Sequence, residues 1–344
     1  MKKLNLTDNH KLIIKIILVA LYFGLLIFLA INNMSYKPDD TLGMDVIVFD
    51  PIAFTVFGRG IYFYALAIIT GIGVAYFYAN YIAKRIGFKE ENLFDGFIIG
   101  TILGILGARV YYAIFAWNSA GFAENPLKVI TGFFNEEGGL AIHGAVIAAA
   151  IFAYFFCKKR NEDILKLGEM LFPGFFIGQI FGRWGNFFNK EAHGGPIADT
   201  VLASREFLEK LPIPKFVIDQ MYINGTYMHP TFLYESVWNL IGLVFLIVLR
   251  KRTKKYWYGD AILFYMVWYG IGRYFVESIR TDALLFFDFR IAQVVSILMV
   301  VGGVVLFILR RVYKYKPISF IELLEDNKDN KEEEKPKKGE KAWL

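Results

Sequence analysis

In 344 residues this chain carries 56% hydrophobic and only 20% charged residues, with a mean hydropathy of +0.42. Soluble globular chains hold about 25% charged residues, and the apolar residues here fall in runs of about 20, the length that crosses a bilayer as a helix, so a soluble globular enzyme is excluded. The formal net charge of +6 gathers in short loops beside those runs, which points to membrane topology and anionic lipid and away from nucleic acid.

Hydropathy predicts about eight spans, at 12–31, 61–83, 93–117, 140–157, 164–181, 230–249, 261–279 and 291–309. In lipid every backbone N–H and C=O must be paired within the segment, so these runs are helices and the fold class is an all-α polytopic transmembrane bundle. Lys2 and Lys3 precede the first helix, as in a signal peptide. Its apolar run is too long for that and shows no small-residue cleavage site, so 1–32 is expected to be an uncleaved membrane anchor. Residues 33–58 are then an external linker and 59–312 the membrane core, with an external loop at 183–229. The tail 313–344 is dominated by charge and is expected to be disordered and cytoplasmic.

Four basic clusters orient the helices: Lys84, Arg85 and Lys89; Lys158, Lys159, Arg160 and Lys166; Arg250, Lys251, Arg252, Lys254 and Lys255; Arg310, Arg311, Lys314 and Lys316. Alternating spans put all four on one side, the cytoplasm, with both termini. Gly174, Gly178 and Gly182, and likewise Gly100, Gly104 and Ala108, recur at four-residue spacing. Such small-residue stripes let membrane helices approach closely. The single cysteine, Cys157, excludes an intrachain disulfide. It ends an apolar run and is expected to be a small hydrophobe. No P-loop, HExxH or paired CxxC is present, and the four histidines lack ligand spacing, so no metal is implied.

Chemistry is sought where charge enters a span, because an ionisable group at a helix centre costs about 2.5–3.5 kcal/mol. Tyr269, Arg273 and Glu277 lie at i, i+4 and i+8 on one helical face, with Arg280 one turn on. That face lines a cavity, or else an Arg–Glu pair fastens two helices. Arg183 and Asn186 are one turn apart, Asn189 extends their face and Glu191 follows, before Gly194, Gly195 and Pro196 force irregular backbone. A guanidinium matches a phosphate as a planar fork; the plainer alternative is an interfacial arginine reaching for water. His143 stands between Gly139 and Gly144 at the outer start of an apolar run. It can take up a proton near neutral pH, although a lone histidine on an apolar face is usually structural. Tyr64, Arg109, His229 and Glu235 are further polar groups near outer helix ends. Together these residues suit an anionic headgroup and leave the reaction open.

At these positions the chain resembles the phosphatidylglycerol–prolipoprotein diacylglyceryl transferase family. The closest match is the stretch 182–191, with its arginine, glycine, two asparagines and acidic residue in order. Gly107-Ala108-Arg109-Val110-Tyr111-Tyr112, the stretch 138–144, and His229-Pro230-Thr231-Phe232-Leu233-Tyr234-Glu235 follow the family's order. So does Tyr269-Gly270-Ile271-Gly272-Arg273 with Glu277, Arg280 and Asp282. The resemblance covers 59–311, and departs at Ala65, Ala108, Phe232 and Gly195. It implies a seven-span core, to which 12–31 is an addition.

It also implies a reaction at the bacterial plasma membrane, with the active site toward the outer leaflet. A lipobox cysteine thiol of a prolipoprotein takes the diacylglyceryl group of phosphatidylglycerol as a thioether and glycerol phosphate leaves, the first step of lipoprotein maturation. By the resemblance Arg183 and Arg273 hold the phosphate, His143 is the candidate base, and Glu191 and Tyr269 join them as catalytic residues. Tyr64, Arg109, Asn186, Gly194, Glu235, Glu277 and Arg280 bind substrate. Phosphatidylglycerol, the lipobox peptide and membrane lipid are the partners, with no cofactor, metal or nucleic acid. Two other classes compete. A lipid or anionic-solute transporter should show internal repeats and matching broken helices, and none is evident. A structural scaffold has no need of the arginines.

Overall fold

The computed structural model describes residues 8–39, 43–132, 139–281, 285–286 and 289–333. Lys2, Lys3, Gly138, Asp282 and the tail 334–344 lie outside the described residues. Twelve helices are described: α1 Asp8–Asn32, α2 Phe63–Ile86, α3 Glu90–Phe115, α4 Lys128–Thr131, α5 Ile142–Arg160, α6 Ile164–Asn189, α7 Val201–Glu209, α8 Lys215–Gln220, α9 Thr231–Arg252, α10 Asp260–Ile279, α11 Ile291–Val312 and α12 Phe320–Glu333. The eight long ones before α12 coincide with the eight expected spans. Seven are long and apolar enough to cross a membrane. The eighth, α10, falls short because Arg273 and Glu277 interrupt its apolar run. The chain is therefore an all-α polytopic membrane protein. Its long helices show Phe77, Val110, Ile147, Val244 and Leu298 on the outside, as a hydrocarbon solvent requires.

The chain divides into two compact units. One comprises Met1–Val74, Phe176–Leu243 and Val267–Val301; the other Ala75–Phe175, Val244–Met266 and Gly302–Leu344. In the first unit the stretch expected to be a linker is folded. Strand β1 Met34–Asp39 pairs antiparallel with β2 Met44–Phe49, and β3 Ile52–Val56 with β4 Arg59–Tyr62. Two-residue strands β5 Tyr222–Ile223 and β6 Thr226–Tyr227, then β7 Leu285–Phe286 and β8 Phe289–Arg290, form two more hairpins. The reason for order lies in long-range partners. The N–H of Ile47 donates to Asp219 Oδ2 at 3.0 Å and that of Phe49 to Gln220 Oε1 at 3.1 Å. Asp219 and Gln220 are wholly buried, and a buried polar side chain needs such partners. Phe49 packs into an apolar core with Phe187, Leu208, Val217, Ile218, Met221, Tyr227 and Phe232, where burying one such side chain contributes about 1.5–3 kcal/mol.

Close helix approaches in the first unit follow small residues. A Cβ on Gly71 would meet the Gly178 backbone at 3.3 Å, so α2 touches α6 along the predicted stripe. The indole N–H of Trp238 donates to Trp268 O at 2.9 Å and that of Trp268 to Trp238 O at 3.0 Å, joining α9 and α10. A Cβ on Gly272 would run into the Trp238 ring, and one on Gly242 into the Trp268 ring. The added helix α1 is tied to α2 by the hydroxyls of Tyr22 and Thr70, 2.6 Å apart.

In the second unit α3 and α5 meet closely at Gly107 and Gly144, where a Cβ on Gly107 would lie 2.7 Å from Gly144 O. Cys157 is buried. The tail departs from the expected disorder over Phe320–Glu333, which is helical. The N–H of Ser319 donates to Glu322 Oε2 at 2.9 Å and the N–H of Glu322 to Ser319 Oγ at 3.1 Å, a capping box that starts α12. Phe320 is buried, with the Arg250 guanidinium 4.8 Å from its ring centre. Apolar burial at the head of the helix outweighs the charge run that follows it.

Candidate active site

The last two turns of α6 supply Arg183, Asn186 and Asn189, the start of α9 supplies Glu235, and α10 supplies Tyr269, Arg273 and Glu277. These segments belong to the first unit. Arg183 Nη2 lies 2.6 Å from Glu235 Oε2, and Arg273 Nη1 lies 3.3 Å from Glu235 Oε1. Two guanidiniums thus share one carboxylate. Arg273 also reaches Glu277, Nη2 to Oε2 at 2.5 Å, a charge contact outside hydrogen-bond geometry. Arg280 Nε stands 4.0 Å from the same oxygen. The carboxylates are enclosed, with Glu235 side chain 5% and Glu277 3% exposed, whereas Arg183 and Arg273 keep 19% and 16%. Three arginines thus face these two glutamates.

A polar chain leads outward from Arg183. Its Nη1 donates to Asn186 Oδ1 at 3.2 Å; Asn186 Nδ2 donates to Glu191 Oε1 at 2.9 Å, and Asn189 Nδ2 to the same oxygen at 3.3 Å. Glu191 is exposed. The chain then turns through Lys190 and Ala192, with positive φ of 52° and 54°. Burial pushes the Lys190 ammonium below its ordinary range. Gly194 N–H donates to His229 O at 3.0 Å, His229 N–H to Gly195 O at 3.1 Å and Gly195 N–H to Ile279 O at 2.9 Å. A Cβ on Gly194 would lie 2.7 Å from His229 Cβ and 3.0 Å from Ile279 O. Glycine is needed there because this backbone passes between His229 and the end of α10. Burial also pushes the His229 imidazole below its ordinary range.

Tyr64 stands at the start of α2 against α6, where a Cβ on Gly185 would lie 2.6 Å from its ring. Next to it Phe63 stacks on Phe188 at 4.4 Å. Tyr269 lines a small cleft with Glu235, Trp238, Asn239 and Arg273. Asn239 is a residue that sequence reasoning missed. It is 2% exposed, and its Oδ1 has no hydrogen-bond partner among the described residues. The available signal was its spacing, one helical turn after Glu235.

The structure therefore groups Tyr64, Arg183, Asn186, Glu191, Gly194, Glu235, Tyr269, Arg273, Glu277 and Arg280 within one unit. Arg109 and His143 belong to the other. Arg109 is buried and its guanidinium is already occupied: Nε donates to Val129 O at 2.8 Å, Nη1 to Gly139 O at 2.9 Å and Nη2 to Lys128 O at 2.7 Å. It pins the loop after α3 to the end of that helix. His143 is exposed in the first turn of α5, its ring 5.9 Å from that of Tyr111.

Residues 51–309 match the family described as prolipoprotein diacylglyceryl transferase. The chain belongs to that family. Among curated relatives, the phosphatidylglycerol–prolipoprotein diacylglyceryl transferase of Staphylococcus xylosus is 42% identical over 268 residues, 78% of this chain and 91% of the relative. The enzyme of that name from Shouchella clausii is 43% identical over 258 residues, covering 75% and 88%. That of Staphylococcus haemolyticus is 40% identical over 274 residues, covering 79% and 92%. All ten residues of the first-unit group fall inside the family match. Helix α1, strands β1 and β2, and α12 lie outside it, yet β2 delivers Phe49 to the rings of Phe187 and Phe188 at 5.8 and 5.6 Å.

Proposed function

We propose that this transferase moves the diacylglyceryl group of phosphatidylglycerol onto the lipobox cysteine thiol of prolipoproteins. A carbon–sulfur bond forms, the carbon–oxygen bond to the phosphate breaks, and glycerol phosphate leaves. The observation that carries this reading is the pair Arg183 and Arg273 on one enclosed carboxylate, in a member of this family. Glu235 keeps the two guanidiniums together without an anion. Each has five donors, so both can add a phosphate oxygen while keeping a hold on Glu235. Donors fixed in advance where charge grows on the leaving group lower the barrier without reorganisation. Glu277 steers Arg273, Asn186 steers Arg183, and Tyr269 faces the cleft beside Glu235. The thiolate is the nucleophile, so a base must take the thiol proton. His143 is the candidate, and undiminished turnover in His143→Ala at every pH would remove it.

The test is the reaction itself. Purified protein, phosphatidylglycerol and a lipobox peptide should yield a thioether-linked diacylglyceryl peptide and glycerol phosphate. Movement of lipid without a thioether product would support a transporter instead. The basic loops put both termini in the cytoplasm and the 183–229 loop outside. In a variant lacking Cys157, Asn118→Cys should react with an impermeant thiol reagent in intact cells and Thr253→Cys should not. Reversed labelling contradicts that orientation.

A further inference from the structure

The hairpin of β3 and β4 carries an anomaly at its tip. The two-residue turn is Phe57-Gly58, with φ of 49° and 76° and Val56 paired to Arg59. Positive φ at both central residues marks a type I′ turn, where Asn-Gly or Gly-Gly is usual. An aromatic residue is a poor choice for that conformation. Phe57 is also fully exposed, at 102% of its reference surface. Among the described residues no ring contact accompanies this side chain.

Its neighbours extend the pattern. Phe54 and Val56 are exposed and share one face of β3. Opposite them across the ladder are Ile61 and Arg59. Arg59 is exposed and forms no ion pair among the described residues. The tip is thus an apolar wedge with one arginine behind it. Both ends of the hairpin are tied to spans. Asn33, just after α1, donates its Nδ2 to Ala53 O at 2.9 Å, and Phe63 begins α2 directly after β4. The hairpin is thus held where α1 ends and α2 begins, two helices that expose apolar side chains such as Ile31 and Ile69.

We propose that this hairpin is an interfacial finger that sets Phe57, Phe54 and Val56 among the acyl chains at the membrane surface and Arg59 at the lipid phosphates. Aromatic and basic residues favour that boundary, where apolar contact and anionic headgroups meet. The finger leads through Phe63 and Tyr64 to the Phe188 and Gly185 side of α6, and so would moor that edge of the site to the bilayer. This surface is distinct from the transfer chemistry and can be tested without it.

The test uses full-length protein in phosphatidylglycerol-containing vesicles, with a nitroxide on Phe54→Cys in a Cys157→Ser background. The label should be accessible to oxygen and shielded from a water-soluble nickel complex. A label at Thr55→Cys, on the other face of the strand, should be open to the complex. Adding Phe57→Ser should remove the shielding at position 54, and Arg59→Gln should abolish any gain in depth over phosphatidylcholine vesicles. A label at 54 open to the nickel complex overturns the proposal. So does shielding that appears only when a lipobox peptide is added, which would make the peptide the occupant.

Discussion

Two enclosed arginine–glutamate clusters, one in each unit, put similar chemistry to different use. In the second unit Glu169 Oε1 accepts from Tyr256 OH at 2.7 Å, Gly259 N–H at 2.7 Å and Ala261 N–H at 3.3 Å. Arg250 Nη1 lies 3.8 Å from its other oxygen, and Arg250 also donates to the Tyr78 hydroxyl. Those two side chains are 0% and 2% exposed, and Phe320 covers the guanidinium. One carboxylate and one arginine face each other in a fully enclosed site, with Glu169 Oε2 and Arg250 Nε and Nη1 lacking hydrogen-bond partners among the described residues. In the first unit two arginines converge on Glu235, both remain partly open, and a cleft with an unpartnered Asn239 oxygen lies alongside. An intramembrane charge is therefore not by itself a site. What distinguishes the proposed site is donors on two partly exposed arginines.

Two predictions bear on that contrast, from the larger effect to the smaller. Arg250→Met should destabilise the protein by about 3–5 kcal/mol, because it leaves Glu169 buried without its counter-charge. Thermal melting in detergent measures this, and the fraction still folded should turn over at close to the wild-type rate. Unchanged melting with lost turnover would erase the distinction between the clusters. Arg183→Lys and Arg273→Lys should each lose about a hundredfold in turnover, about 2.7 kcal/mol, while melting near wild type. Lysine keeps the charge that Glu235 needs but cannot present a fork to a phosphate. Turnover retained in the lysine variants, with melting lost in the alanine ones, would place this cluster with Glu169 and Arg250 as helix fastening.

The spans were legible in the sequence because hydropathy is a local property, and even α10 showed its three-residue stripe of Tyr269, Arg273 and Glu277. The stripe did not reveal what holds it. Glu235 joins Arg183 to Arg273 from a third helix, and no spacing rule links positions 52 and 38 residues apart. Order in 33–39 and 43–58 was hidden for the same reason: Val46 and Phe49 look like scattered apolar residues until α8 and Phe187 are placed against them. Ser319 and Glu322 carried a readable capping signal, but the charge run after it dominated the composition. The three loop carbonyls that Arg109 bonds were not legible either, because nothing in the spacing of Lys128, Val129 and Gly139 points to it. Arg250 was counted only as a topology signal, and its buried partner Glu169 gave no pattern at all.

In the proposed reaction Arg183 and Arg273 take the lipid phosphate between them while Glu235 holds them in place. A structure with phosphatidylglycerol bound tests it directly. Phosphate oxygens within hydrogen-bond distance of both guanidiniums, with Glu235 still touching at least one, is the result expected. A headgroup phosphate bound elsewhere, with Arg183 and Arg273 both still closed on Glu235, would contradict it.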